Sequence, residues 1–359
     1  MPNAHYYGLI LAGGRGTRFW PRSRKCYAKQ VLNVFGERSL IQGTVDRLAP
    51  VIAPGRLWVL TSRDLRDAVV SQLPEIPRSQ ILAEPAQRNT APAIGLAAQI
   101  LSSEDPKAVM GVFPADHLVA KPSAFRKVLR AAFRGAEADR LMVVGIQPRW
   151  PETGYGYIEF PRDVAAGSSA AVPVRRFHEK PPLARARRYL ASGNFFWNSG
   201  MFFWRPGVLL EALRRHLPRT ATVLAALPRF GARKFAAELE RGFPLCENIS
   251  IDFAVMERAK NVSGIAAADF GWSDVGSWNA VYELLPRDGC GNAVARDSIC
   301  LDAHNNFVDA RGKTVALVGV KDLIVVDTAD ALLVADRARA QQVGEVVKAL
   351  ERQKRDELL

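Results

Sequence analysis

The sequence predicts an α/β protein, with a mainly parallel sheet covered by helices on both faces and a small β-rich region after it. Three observations carry that expectation. Apolar strand candidates alternate with amphipathic helix patterns up to about residue 150. The first of these strands runs directly into a glycine cluster, the usual sign of a turn with a backbone task. After "RDGCGN" (287–292) the helix patterns give way to β-rich segments, until a charged final helix at about 337–354.

The strand candidates are "YYGLILA" (6–12), "RLWVLTS" (56–62), "AVMGVFPAD" (108–116) and "RLMVVGI" (140–146). Each is a short apolar, β-prone run, as a strand buried on both faces requires. Between them, Phe125, Val128, Leu129, Ala132, Phe133 and Ala136 fall on one helical stripe. Ile94, Ala97, Ala98 and Leu101 form another, with Asn89 or Thr90 as its cap and Pro92 in its first turn. Beyond residue 150, "ETGYGYIEF" and "VPVRRFHEK" read as extended strands around a Gly/Ser-rich loop at 166–169. "PPLARARRYLASG" and "RPGVLLEALRRHLP" read as helices, and "SIDFAVMERAK" as a short helix capped by Ser250. "NFFWNSGMFFW" (194–204) reads as core. The expected division is 1–289 and 290–359. In such sheets ligands bind outside the carboxyl ends of the strands.

Lys and Arg outnumber Asp and Glu by 49 to 36, a net +13 that suits anionic partners. No basic run carries interleaved aromatics, so nucleic acid is not expected as a partner. The cysteines at 26, 246, 290 and 300 show no zinc spacing and read as reduced thiols of a cytoplasmic protein. No apolar run is long enough to span a bilayer, and no leader pattern opens the chain.

The glycine cluster is "LAGGRGTRFWPRS" (11–23). A P-loop would need Gly-Lys-Ser/Thr, whereas Gly16 is followed by Thr17 and Arg18. The dinucleotide fingerprint needs a third glycine where Phe19 stands. What remains is a tight loop whose N–H groups face phosphate oxygens, with charge from Arg15, Arg18, Lys25 and Lys29. A plain strand-to-helix turn with solvated arginines would look the same in isolation.

The loop does not stand alone. "LAGGRGTRFWPRSRKCYAKQVL", "EPAQRNTAPAIGLAA" (84–98), "FPADH" (113–117), "PETGYGYIE" (151–159), "FHEKP" (177–181), "WNSGMF" (197–202), "SIDFAVME" (250–257) and "WSDVGSW" (272–278) follow one another in a familiar order. Together they resemble the sugar-1-phosphate nucleotidyltransferases, most closely the mannose-1-phosphate guanylyltransferases. The resemblance departs at Ala28, where the family usually has proline, and at Phe19 and Arg22, where it usually has leucine.

That resemblance implies a Rossmann-like nucleotidyltransferase fold with a mixed, mostly parallel sheet and a small C-terminal β-rich domain. It implies transfer of GMP from GTP to mannose 1-phosphate, giving GDP-mannose and pyrophosphate, by in-line attack on the α-phosphorus without a covalent enzyme intermediate. Catalysis is then positioning and charge neutralisation. The implied catalytic residues are Arg18, Lys29, Asp116 and Asp274, with Asp116 and Asp274 holding Mg2+. The nucleotide falls to Leu11, Ala12, Gly13, Gly14, Gly16, Thr17, Glu84, Asn89 and Thr90, and the sugar phosphate to Gly154, Tyr155, Glu179, Lys180 and Asn198. His117 and His178 receive no proton-transfer role. By themselves Asp116 and Asp274 would be turn acids, Asn89 and Thr90 helix caps, and Glu179 and Lys180 a surface pair.

Two rivals remain. One is an enzyme for another sugar 1-phosphate or nucleotide; the other is a non-catalytic regulatory homologue. The charged site positions are all present, which favours catalysis. Some relatives continue into an isomerase domain, for which this chain has no room, so transferase activity alone is expected. A homodimer through the C-terminal β region is expected by analogy.

Overall fold

The computed structural model describes residues 3–294 and 298–359. In chain order the elements are β1 (Tyr6–Ala12), α1 (Leu40–Leu48), β2 (Leu57–Ser62), α2 (Arg63–Gln72), β3 (Ile81–Glu84), α3 (Thr90–Glu104), β4 (Val109–Pro114), β5 (Leu118–Val119), α4 (Pro122–Ala136), β6 (Leu141–Ile146), β7 (Tyr157–Glu159), β8 (Val172–Pro173) and β9 (Arg176–His178). There follow α5 (Leu183–Ser192), β10 (Phe195–Trp204), α6 (Pro206–His216), α7 (Pro218–Ala225), α8 (Phe235–Gly242), β11 (Val262–Ala266), β12 (Trp272–Ser273) and α9 (Trp278–Leu284). The C-terminal region adds β13 (Ile299–Leu301), β14 (Phe307–Asp309), β15 (Ala316–Val318), β16 (Leu323–Asp327), β17 (Leu332–Asp336) and α10 (Val343–Arg352).

The main sheet runs β3-β2-β1-β4-β10-β6-β11-β8, with β7 and β9 attached at β10. β1 pairs in parallel with β2 and β4, as does β2 with β3 and β6 with β11. β10 lies antiparallel between β4 and β6, which brings the carboxyl ends of β4 and β6 to one edge. The sheet is therefore mixed and mostly parallel, as expected. The residues after β1, β3 and β4 and the first half of β10 all emerge at that edge. Two apolar cores cover its faces. One is built from α1, α2 and α4, the other from α3, α6, α7 and α8.

The helical stripes behave as expected: Phe125, Leu129, Ala132, Phe133 and Ala136 are fully buried under the sheet. "ETGYGYIEF" is strand only over Tyr157–Glu159, because the 152–156 stretch loops out toward the site. "SIDFAVMERAK" forms a π-helical turn at Asp252–Met256, with the Glu257 N–H reaching the Asp252 carbonyl at 3.0 Å, where an ordinary short helix was expected. The Ser250 hydroxyl does accept from Phe253 N–H, at 3.4 Å. The final helix begins at Val343, after a 3-10 stretch over Arg337–Gln342.

A third core joins the C-terminal region to the start of the chain. Phe307, Ile324, Val326, Leu333, Val347 and Leu350 pack with Phe19, Trp20, Trp278 and Tyr282. The Trp20 indole donates to the Leu358 carbonyl at 3.0 Å, and the Trp278 indole to the Trp20 carbonyl at 3.1 Å. Among the described residues, no helix is long and apolar enough to cross a membrane.

Candidate active site

The glycine loop owes its shape to Gly16. Its φ is +60°, and a Cβ there would lie 2.6 Å from the Cβ of Lys29 and 2.9 Å from its backbone nitrogen. Only glycine lets the loop close over Lys29. Gln30 pins the loop from below, its amide donating to the carbonyls of Ala12 at 2.6 Å and Gly14 at 3.0 Å. The Ser23 hydroxyl donates to the Arg15 carbonyl at 2.9 Å. Leu11 and Ala12 end β1, Gly13 and Gly14 follow it, and Thr17 opens a 3-10 turn through Phe19.

Lys29 is the hub. Its ammonium donates to Asp116 Oδ2 at 2.8 Å and to the Asp274 carbonyl oxygen at 2.6 Å. The lysine side chain is only 6% exposed, the aspartate 36%. Asp116 lies just past the end of β4, and Asp274 directly follows β12. What unites them is a two-stranded ladder: β12 pairs antiparallel with β5, Trp272 opposite Val119 and Ser273 opposite Leu118. Lys29 thus bridges the Asp116 carboxylate and the Asp274 backbone, two positions far apart in sequence. Burial alone would raise the Asp116 carboxyl; the Lys29 charge overrides it and holds the group below the ordinary carboxylate range. The Tyr155 hydroxyl donates to Asp274 Oδ1 at 2.5 Å, and burial together with that carboxylate pushes the phenol well up. Arg18 lies close enough for its charge to oppose that rise. Val275, fully buried, takes φ +47°, a conformation that β-branched residues rarely adopt, so the backbone beside Asp274 is strained.

His117 accepts the Trp272 indole N–H on Nδ1 at 3.2 Å. Burial pulls its pKa down to about 4, so at neutral pH it is an uncharged packing partner of the aspartates.

Glu84 ends β3 directly beneath the loop: a Cβ on Gly13 would lie 3.2 Å from its Oε1. Burial raises its carboxyl to about 7. Asn89 takes φ +63° and caps α3 by accepting from the Thr90 N–H at 2.9 Å. The Thr90 hydroxyl accepts from Ile251 N–H at 2.9 Å, which ties this rim to the 250–257 segment.

The remaining predicted residues form a second compartment. Asn198, on β10, donates to Asp252 Oδ1 at 2.8 Å and accepts from Gly200 N–H at 3.0 Å. Its own N–H donates to the Gly156 carbonyl at 2.8 Å. Glu179 N–H donates to Glu257 at 2.8 Å, and Lys180 approaches Glu179 Oε1 at 3.3 Å. The other carboxylate oxygen of Glu179 is buried and has no hydrogen-bond partner among the described residues. Burial first, then Asp252, raises this carboxyl to about 7. Burial raises Asp252 as well. Gly154 N–H donates to Glu152 at 2.8 Å, shaping the loop that delivers Tyr155. The aromatics of "NFFWNSGMFFW" are core apart from half-buried Phe195, and buried Trp197 packs edge-on against Trp150 and Tyr155.

The structure thus gathers Lys29, Asp116, Tyr155 and Asp274 into one bonded cluster and Glu179, Lys180 and Asn198 into another, while Arg18 bonds to Gln341. Sequence reasoning missed four contributors. Asp252 and Glu257 lie inside a quoted motif, but nothing in their spacing shows that they face Asn198 and Glu179. Gln30 stands next to Lys29 but carries no charge to mark it. Buried Arg47 on α1 donates to Thr44 Oγ1 at 2.7 Å, and burial lowers its pKa to about 10 against the pull of Asp116. A lone arginine in an amphipathic helix gives no such signal. Two cations expected to serve phosphates are already engaged: Arg15 with Glu351 and Lys25 with Asp356, both at 2.7 Å.

A family model described as nucleotidyl transferase matches residues 7–289, and one described as MannoseP isomerase/GMP-like beta-helix domain matches 296–350. The mannose-1-phosphate guanylyltransferase ManC of Salmonella typhimurium is 41% identical over 369 residues, covering 99% of this chain and 75% of that protein. The chain belongs to the mannose-1-phosphate guanylyltransferase family. Another relative, the xanthan biosynthesis protein XanB of Xanthomonas campestris, is 40% identical over 353 residues, or 97% of this chain and 74% of XanB. A solved structure from Thermus thermophilus, described as a mannose-1-phosphate geranyltransferase, superposes with a TM-score of 0.85 at 34% identity, covering 97% of this chain and 99% of its own. The C-terminal β region found here falls where the family's beta-helix model matches.

Proposed function

We propose that the protein transfers GMP from GTP to α-D-mannose 1-phosphate, releasing pyrophosphate. Family membership supports the reaction, and one observation carries its assignment to these residues: a buried lysine held between the Asp116 carboxylate and the Asp274 carbonyl at the carboxyl edge of the sheet. The sugar phosphate oxygen attacks the α-phosphorus as pyrophosphate leaves opposite, so the protein's task is to hold both partners in line. Lys29 and Arg18 stabilise charge on the phosphates. Leu11 to Gly14, Gly16 and Thr17 offer backbone to the nucleotide. Glu84, with Asn89 and Thr90 beside it, reads the base; its carboxylate suits the N1–H and N2–H donors of guanine. Tyr155 and Gly154 bound the sugar compartment, Glu179 and Asn198 take hydroxyls, and Lys180 pairs with the sugar phosphate. The proposed domain limits are 1–289 and 290–359.

Magnesium dependence is typical of the family. Among the described residues no group of three or more His, Cys, Asp or Glu side chains gathers as a metal site. The donors present nonetheless fit this ion. Lys29 takes one oxygen of Asp116 and Tyr155 one of Asp274, which leaves each carboxylate a second oxygen. Magnesium takes one or two carboxylates and completes its shell with phosphate oxygens and water. Asp116 and Asp274 would hold it, and when bound it supplies further neutralisation of phosphate charge.

Purified protein with magnesium, each nucleoside triphosphate and mannose or glucose 1-phosphate, followed by pyrophosphate release, tests the reading. Preference for GTP with mannose 1-phosphate is expected. No turnover with any pair would favour the regulatory alternative. We also propose a homodimer: Ile299, Leu301, Val318, Leu332 and Val334 are each more than half exposed on the C-terminal β region. Light scattering of the purified chain tests it, a monomer mass being the contrary result.

A further inference from the structure

All five cations between residues 15 and 25 reach into the C-terminal region, but not to the same kind of partner. Arg15 donates to Glu351 at 2.7 Å, Arg24 to Asp330 at 2.8 Å and Lys25 to Asp356 at 2.7 Å. Arg22 grips Asp309 with two bonds, at 2.5 and 2.8 Å. Each of these four meets a carboxylate. Among the described residues Arg18 alone of the five meets no carboxylate: its Nη1 donates to the Gln341 amide oxygen at 2.8 Å.

The difference has a physical consequence. A carboxylate beside a guanidinium cancels most of its field, whereas an amide oxygen fixes its direction and leaves the charge in place. A guanidinium has five N–H donors in one plane. With Nη1 engaged by Gln341, other donors of the fork stay open to a phosphate. Arg18 is exposed, and its charge is felt at Tyr155 beside Asp274. The start of α10 backs this part of the loop. Gly344, in the first turn of α10, presents no side chain; a Cβ there would lie 3.5 Å from Thr17 Oγ1 and 3.7 Å from Arg18 Cγ.

We infer that Gln341 is a positioning residue for the transfer reaction: the C-terminal region aims Arg18 at the triphosphate through a neutral acceptor while it neutralises the other four cations of the loop. This rests on the reading of Arg18 as a phosphate-binding residue. Replacing Gln341 by the isosteric carboxylate strengthens its contact with Arg18 and removes charge from the site. A merely structural contact would gain from that change.

The test uses the full chain and four forms: Gln341→Glu, Gln341→Leu, Arg18→Gln and the double variant Arg18→Gln/Gln341→Glu. GTP affinity is read by equilibrium dialysis, KM and kcat by pyrophosphate release, and folding by thermal melting. Gln341→Glu is expected to weaken GTP on the order of tenfold in both Kd and KM, with the KM for mannose 1-phosphate unchanged and the melting temperature not lowered. Gln341→Leu is expected to lower kcat a few-fold with unchanged melting, since the fork loses its aim but keeps its charge. In the Arg18→Gln background, Gln341→Glu should add nothing to the loss in GTP affinity. If Arg18→Gln weakens GTP while Gln341→Glu binds as wild type, the inference fails and the reading of Arg18 stands. An equal loss from Gln341→Glu with and without Arg18 means general repulsion and also overturns the inference. Wild-type GTP affinity in Arg18→Gln overturns the reading of Arg18 itself and the inference with it.

Discussion

Asp116 rests against an ammonium, whereas Glu179, in the adjoining compartment, shares its surroundings with Asp252 and Glu257. Both acids lie at the same sheet edge, and their carboxyl groups move in opposite directions: Asp116 is held down by Lys29, and Glu179 is pushed up by burial to about 7. The contrast fits two kinds of ligand. A compartment with a buried lysine and a nearby exposed arginine suits phosphates, which bring negative charge. A compartment crowded with acids, one carboxylate oxygen left without a partner, suits hydroxyl donors. The boundary between them is the 154–156 loop, where Tyr155 bonds to Asp274 on one side and the Gly156 carbonyl receives the Asn198 N–H on the other.

Asp274→Asn should affect the phosphate half most strongly. The amide keeps the volume and still offers an oxygen to Tyr155, so folding should survive. Turnover should fall on the order of 100- to 1,000-fold, as for loss of one preorganised electrostatic group. Pyrophosphate release beside a melting curve checks it. Near wild-type turnover would remove Asp274 from the chemistry and leave the aspartate pair a structural clamp.

Glu179→Gln probes the other half and should differ in kind. The expected kinetic effect is about a tenfold rise in the KM for mannose 1-phosphate, from loss of a charged acceptor. The stability effect has a defined sign. A carboxyl raised from 4.5 to about 7 keeps its proton in the folded state after the unfolded chain has lost it. Wild-type stability from this group is therefore full below the ordinary value and is lost as pH rises toward the folded value. The glutamine variant should gain relative stability across that window, reaching about 3 kcal/mol above it. Asp116 runs the other way: its depressed carboxyl contributes at neutral pH, and that contribution is lost only as pH falls through its folded value. Denaturant melts of Glu179→Gln and Asp116→Asn at several pH values test both signs. Parallel pH profiles for the two variants would erase the distinction between compartments.

Glu84→Gln should have a smaller effect, confined to the nucleotide. With its carboxyl at about 7, the wild-type acceptor is only partly ionised near neutrality. If the carboxylate receives guanine donors, GTP affinity tightens a few-fold from about pH 6 to about pH 8, beyond what the nucleotide's own titration produces. The glutamine variant should lose that difference and bind ATP and GTP more equally. Identical pH dependence in the two proteins would assign base reading elsewhere.

These compartments were unevenly legible in the sequence. The glycine loop, Lys29 and the end of β4 could be placed by local pattern, because a strand delivers its last residues to a known edge. That Asp116 meets Asp274 could not, since it depends on two-residue strands, β5 and β12, too short to leave an apolar signature. The reversed direction of β10 was equally hidden: a fully buried strand reads the same parallel or antiparallel, yet its direction is what brings Asn198 to the site. The acids around Glu179 meet through a π-helical turn, whose i to i+5 bond has no residue code. The engagement of the loop's cations by the C-terminal region was masked by composition, since paired and free arginines look alike on paper.

The smallest expected effect concerns Ala28, where the family usually has proline. The question is whether Lys29 loses aim without the ring. Ala28 is buried with φ −82° and ψ 172°, close to the backbone that proline would impose. Lys29 is then fixed at its far end by two acceptors and covered by the loop at Gly16. Tertiary contacts therefore supply the orientation that a pyrrolidine would supply through the unfolded chain. Ala28→Pro is expected to change kcat less than about twofold and to leave the folded state intact or stabilise it by about 0.5 kcal/mol. A marked rise in turnover would instead mean that the ammonium, despite its two partners, is held less well here than in proline-bearing relatives.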